Sequence, residues 1–130
     1  NMNGWLLAAG GLLLVAFFVH SFAGNRFYSS ARPDRDSIRA CDAWLMGRCG
    51  MQMIGVDLLL ASGFLLASGS GVLPRFRALE LFLALIYGGW TLGWLLSLAI
   101  ERSSARHYLR LCQWMLFLAV AALIGIGLFR

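Results

Sequence analysis

Lysine is absent from this chain, and all 11 of its basic residues are arginine. Acidic residues are scarce too: Asp and Glu together number 6, and charged residues make up only 13% of the 130 positions. A soluble domain of this size has more surface than so few charges can cover. A bilayer removes that constraint, because its solvent is itself apolar. The three cysteines, Cys41, Cys49 and Cys112, are too few and too scattered for a disulfide framework, and no C-x-x-C pair occurs. With only two prolines, Pro33 and Pro74, long stretches run without a helix breaker.

What fills the chain is apolar. Hydrophobic residues reach 60% and the mean hydropathy is +0.75. A spanning helix needs about 20 mostly apolar residues. Four such stretches occur, at about residues 5–23, 49–73, 78–100 and 111–129. We expect an all-α polytopic membrane protein, an antiparallel bundle of four transmembrane helices forming one domain over residues 1–130, with no room for a soluble domain. The stretches are continuously apolar and do not alternate, which opposes a β-barrel. Asn1 reads as a leftover tag residue before a native Met2. The first span lacks a basic n-region and is followed by further spans, unlike a cleavable signal peptide.

The connections differ in character. Gly24 to Asp42 is the longest and the most charged, and Pro33-Asp34 marks a helix start ahead of the second span. Gly71 to Arg77 is a tight hairpin in which Pro74 is expected to end the helix, and Glu101 to His107 is short and polar. Loops one and three with their helix ends carry Arg26, Arg32, Arg35, Arg39, Arg48, Arg102, Arg106 and Arg110; the other side carries Arg75, Arg77 and Arg130. Eight against three puts loops one and three in the cytoplasm and both termini outside. The net charge of +5 is thereby explained by loop arginines, and nucleic acid is not an expected partner.

Asp57 falls near the middle of the second span, where an ionised carboxylate costs about 3 kcal/mol on insertion scales. It must face the interior and pair or be protonated, as a proton or cation relay or as a structural carboxyl bonded to a neighbouring helix. Helical spacing sets Ala43, Gly47, Gly50, Ile54, Asp57, Ala61 and Phe64 on one face. Glu80, Ala84, Tyr87 and Thr91 form a polar seam on the third helix, which makes Tyr87 or Thr91 the expected partner of Asp57. Gly89-x-x-x-Gly93 on that helix is read as a packing motif within the bundle, with homo-oligomerisation as the second choice.

A second polar group is expected near the cytoplasmic ends, where His20, Arg48, Gln52 and Gln113 would form a pocket for a lipid phosphate or carboxylate. His20, His107 and the cysteines lack ligand spacing, so no metal or cofactor is assigned. Trp5, Trp44 and Trp114 read as interfacial anchors; Trp90 and Trp94 either pack or line a lipid- or quinone-facing groove.

The segment His20-Ser21-Phe22-Ala23-Gly24-Asn25-Arg26 resembles an H-S-x-x-G-E-[RK] segment that ends the first helix of small bacterial four-span proteins of unassigned function. Asn25 stands where that pattern has an acid. The resemblance implies a bacterial inner membrane and no particular activity. Small multidrug transporters carry an acid in the first helix, which this chain lacks, and dual-topology fluoride channels conflict with the arginine bias. Membrane disulfide-forming enzymes need paired cysteines on the oxidising side, whereas Cys41 and Cys49 fall on the reducing side. The leading expectation is a non-enzymatic protein acting by packing with itself, a larger membrane-protein partner or membrane lipid. The alternatives are a small transporter or ion/proton conductor using Asp57 and Glu80, and a membrane redox or lipid-modifying subunit built on His20, Arg48 and Cys49.

The arginine asymmetry is tested by thiol labelling in a background without native cysteines. Cysteines introduced at Arg32 and Ser104 should resist a membrane-impermeant reagent in intact cells, while one at Pro74 should react. The reverse pattern would invert the topology.

Overall fold

Apolar runs with no water to satisfy their backbone must bond internally, and the described residues fold as helices without a strand. The computed structural model describes residues 2–130; Asn1 lies outside the described residues. The elements are α1 (Gly4–Val19), a π-helical turn (His20–Gly24), α2 (Asn25–Ser30), α3 (Ile38–Gly69), α4 (Arg77–Ile100), α5 (Ala105–Arg110) and α6 (Gln113–Leu128). Three helical rods are long and apolar enough to cross a membrane: Gly4–Ser30, Ile38–Gly69 and Arg77–Ile100. The fourth apolar helix, α6, has 16 residues and spans about 24 Å.

Several boundaries differ from the sequence expectation. The first helix does not stop at Ala23; the π-turn carries it on through α2 to Ser30, which shortens the charged loop. The second rod starts at Ile38 and not at Pro33-Asp34, because Ser37 supplies the N-cap by accepting from the Ala40 amide at 3.3 Å. It ends at Gly69, before Pro74 is reached. Gly71 takes φ 83° and donates to the Ser68 carbonyl at 3.3 Å, so a left-handed glycine ends the helix ahead of the proline. The fourth apolar helix starts at Gln113 because the chain turns at Leu111 and Cys112. The freed Leu111 carbonyl accepts the Trp94 indole N–H at 2.9 Å, and the Trp114 indole donates to Tyr108 at 2.9 Å.

The long helices pack in the spatial order α3–α1–α6–α4, each antiparallel to its neighbour. Consecutive α3 and α4 barely touch despite the tight hairpin between them, so the order of packing is not the order of the chain. The core is Leu6, Ala9 and Leu13 of α1, Leu58, Ala61 and Leu65 of α3, Leu83 and Tyr87 of α4, and Phe117, Val120 and Ile124 of α6. Glycine sets the closest approaches. A Cβ at Gly10 would stand 2.9 Å from the Leu66 side chain, and one at Gly69 would stand 2.9 Å from the Leu7 backbone nitrogen.

One end of the molecule is tied by a polar knot. Asn3 caps α1 through the Trp5 and Leu6 amides, donates its Nδ2 to the Gly127 carbonyl at 3.0 Å, and gives its own amide to the Gly69 carbonyl at 2.7 Å. Arg75 forks onto Glu80 at 2.6 and 2.9 Å and donates to the same Gly127 carbonyl at 3.0 Å. Glu80 is fully buried. Its hydrogen bond holds the Arg75 guanidinium above the usual arginine pKa, so the cation is always present. Removing one partner of a buried pair leaves an uncompensated charge. Glu80→Ala should therefore cost about 3 kcal/mol in unfolding from detergent. Arg75→Met combined with Glu80→Leu should cost less than the two single changes together. Additive losses would show that the pair is not coupled.

Candidate functional site

Two polar sites are candidates, one within the α3 and α4 rods at Asp57 and Tyr87, and one where α2 lies against α3. In the first, Tyr87 is fully buried and donates its hydroxyl to Asp57 Oδ2 at 3.1 Å. Thr91, the other expected partner, turns to its own helix and donates to the Tyr87 carbonyl at 2.8 Å. The Asp57–Tyr87 bond is the polar tie across the otherwise open α3–α4 seam. Glu80, Tyr87 and Thr91 are all buried on one stripe of α4 with Leu83. Glu80 is nevertheless taken by Arg75 and lies seven residues, about 10 Å, from Tyr87.

The face of α3 is rotated from the one expected. Its buried stripe runs Met51, Gly55, Leu58, Ala61, Ser62, Leu65, Ser68 and Gly69, so Ala61 is common to both sets and Ile54 is exposed. Asp57 sits at the flank of the stripe, half-buried. The Gly89-x-x-x-Gly93 motif does not pack inside the molecule: a Cβ at Gly88, Gly89 or Gly93 would meet nothing within 4 Å. Trp90 and Trp94 surround Phe117 at 5.4 and 6.0 Å between ring centroids, with Tyr87 5.2 Å from Trp90. They form an edge-to-face aromatic cluster that joins α4 to α6.

At the second site His20 contacts the Met51 carbonyl through Nε2 at 2.7 Å. A carbonyl only accepts, so Nε2 carries the proton. The His20 ring packs over Gly55 at a distance that a side chain there would also allow, since a Cβ would lie 3.7 Å from His20 Cδ2. Gly47 is the tighter approach: a Cβ there would lie 2.8 Å from the Tyr28 phenol oxygen, so the phenol would have to shift. Asn25 is the hub. Its side chain donates to the Ser21 carbonyl and accepts from Gln52 at 3.2 Å, and its backbone carbonyl accepts from Arg48 at 3.3 Å. Arg48 also donates to Ser29 Oγ at 3.4 Å.

His20, Arg48 and Gln52 thus all bond across to a neighbouring segment at this end. Gln113 does not join them; it is exposed at the start of α6 and makes no side-chain hydrogen bond among the described residues. The reason is the packing order, in which α6 lies against α1 and α4, away from α2 and α3. Cys49 and Cys112 are exposed, Cys41 contacts the Asp34 carbonyl at 3.5 Å, and His107 pairs with Ser104 at 3.5 Å. Among the described residues no three His, Cys, Asp or Glu side chains converge as a metal site.

Sequence reading missed Asn3, Arg75, Ser29, Arg32 and the full part played by Asn25. An Asn directly ahead of an apolar run is a helix N-cap signal that points to Asn3. The others depend on the π-turn and the hairpin, which pattern alone does not reveal.

If the Asp57–Tyr87 bond ties the seam, Asp57→Leu strands a buried phenol hydroxyl and should lose about 1 kcal/mol, with Asp57→Asn close to wild type. Tyr87→Phe should behave like Asp57→Leu in the same thermal unfolding assay, and unchanged stability in both would remove the tie. No family model matches this chain, no curated protein matches it, and no solved structure matches it.

Proposed function

We propose that this chain is a non-enzymatic four-span protein of a bacterial inner membrane that acts by contact, with membrane lipid, a larger membrane protein or a second copy of itself. The observation that carries this reading is how its membrane-depth polar groups are used. Glu80 is held by Arg75, Tyr87 by Asp57, Thr91 by its own helix and His20 by the Met51 carbonyl, while large apolar side chains such as Leu60, Leu85, Leu92 and Leu118 face outward. Groups spent within the chain stabilise one arrangement and leave an apolar exterior for neighbours.

The fourth crossing is supported by the absence of charge between Cys112 and Phe129 and by the Gly127 carbonyl, which Asn3 and Arg75 both satisfy. The arginine count supports cytoplasmic α2–α3 and α4–α5 connections. The resemblance around His20 supports the bacterial origin. One observation favours a proton conductor as the second reading: Asp57 is only half-buried, and its Oδ1 makes no hydrogen bond among the described residues. Against it, buried Leu83 lies between Glu80 and Tyr87, so the acids do not form a continuous polar path.

Reconstitution separates the two. Proteoliposomes under a pH gradient should dissipate it no faster than empty vesicles, and Asp57→Asn should change nothing. A wild-type proton flux that Asp57→Asn abolishes would replace this reading with conduction.

A further inference from the structure

We infer that Arg32, Arg48, Ser29 and Trp44 form a binding site for the phosphate of an anionic phospholipid headgroup. The inference rests on the reading of the chain as a membrane protein that acts by contact with lipid, and it gives that contact a place and a chemistry. These four residues and Leu45 line an open cavity of about 250 Å³ where α2 meets α3. A second open cavity, lined in part by Phe22, Asn25 and Arg26, adjoins it and shares Ser29.

The site lies at headgroup depth. Arg48 is nine residues from mid-span Asp57, about 13 Å along the helix, and the half-thickness of a hydrocarbon core is about 15 Å. Trp44 sits one turn further out, at the level where tryptophans favour the interface. Leu45 is half exposed beside it and offers an apolar surface to the start of an acyl chain.

The charges are held in place but unspent. Trp44 is fixed by its indole N–H, which donates to the Tyr28 carbonyl at 2.9 Å. The Arg32 guanidinium lies 4.7 Å from the centre of the Trp44 ring, and that of Arg48 lies 5.8 Å from it. Asp34 and Asp36 lie in the loop before α3 and Asp42 in its second turn, yet the ion pair among the described residues is Arg75–Glu80, and neither Arg32 nor Arg48 is paired with a carboxylate there. Arg48 uses Nη1 on Asn25 and Ser29, which leaves Nε and Nη2 to donate. Ser29 Oγ accepts from Arg48, so its hydroxyl proton remains available to an anionic oxygen. Two guanidiniums and a hydroxyl converging at the interface match a phosphodiester, whose oxygens only accept. Ordering these groups beforehand on Trp44 reduces the entropy lost when the lipid binds.

The test uses the full chain in mixed micelles of phosphatidylcholine, titrated with phosphatidylglycerol. Retained lipid is counted by native mass spectrometry, and the thermal midpoint is followed in parallel. Wild type should retain phosphatidylglycerol over phosphatidylcholine. Each arginine at an anionic lipid surface contributes about fivefold, so Arg32→Gln should weaken retention about fivefold and Arg32→Gln with Arg48→Gln about 25-fold. Arg39→Gln, outside the cavity, should leave retention unchanged. The Arg32 side chain makes no hydrogen bond among the described residues, so its single variant decides the outcome if the Arg48 variant fails to fold. Equal retention by wild type and Arg32→Gln would overturn the site, and so would an equal loss in Arg39→Gln. Displacement of the lipid by inorganic phosphate at the same concentration would assign the cavity to a free anion instead. Each of these failures leaves the proteoliposome result untouched, and a proton flux there leaves this measurement untouched.

Discussion

A carboxylate with no exposure to solvent needs a cation beside it, and the Arg75–Glu80 pair meets that need in a way that organises one whole end of the protein. Arg75 reaches Glu80 from the hairpin that joins α3 to α4, and through Nη2, which also bonds Glu80, it donates to the Gly127 carbonyl in the last turn of α6. Asn3 uses the same carbonyl, caps α1, and binds the last residue of α3 through its own amide. All four long helices therefore meet in one connected set of hydrogen bonds. In an apolar solvent the free ends of helices are the places where backbone groups go unpaired. This knot pairs them at the end where the short α6 terminates, and so lets a helix of 16 residues take a full place among longer ones.

The other end is built differently. There the first rod is extended by a π-turn, and the closest approach is a small residue meeting a large ring, Gly47 against Tyr28. The result is a surface of arginine, tryptophan, serine and asparagine in which the cations are positioned by stacking rather than by carboxylates. One end of the protein is thus closed by its own charges, and the other presents charge outward. Between them, among the described residues, the α3–α4 seam is bridged by the Asp57–Tyr87 hydrogen bond, while α3 with α1, α1 with α6, and α6 with α4 pack directly.

The helices themselves were readable from uninterrupted apolar runs, since backbone in lipid has few choices. Depth and alignment likewise pointed Asp57 toward Tyr87 or Thr91, and Tyr87 makes the bond. The buried face of α3 was not readable. Its apolar residues occur all round, so no asymmetry marks the inner side, and the small residues that mark it are shared with outward positions such as Gly50 and Gly63. The order α3–α1–α6–α4 was hidden for a related reason. Gly10, Gly69 and Gly127 let backbones approach, but Gly89 and Gly93, which look the same in the sequence, face open space. The interface site was half visible. Arg48 and Gln52 stand out at the edge of an apolar run, but Ser29 and Arg32 come into reach only because the first helix continues through its π-turn instead of ending at Ala23.

The proposed four-span arrangement requires α6 to cross the bilayer as the fourth helix, with its end at Gly127 tied to Asn3 and Arg75. Spin labels placed singly at the outward positions Met115, Leu118, Ala122 and Ile126 measure this directly through their accessibility to oxygen and to a water-soluble nickel chelate. A crossing helix should show oxygen access that peaks near Leu118 and Ala122, with nickel access low at both. Nickel access at all four positions equal to that at Arg102 would place α6 at the membrane surface and contradict the four-span reading.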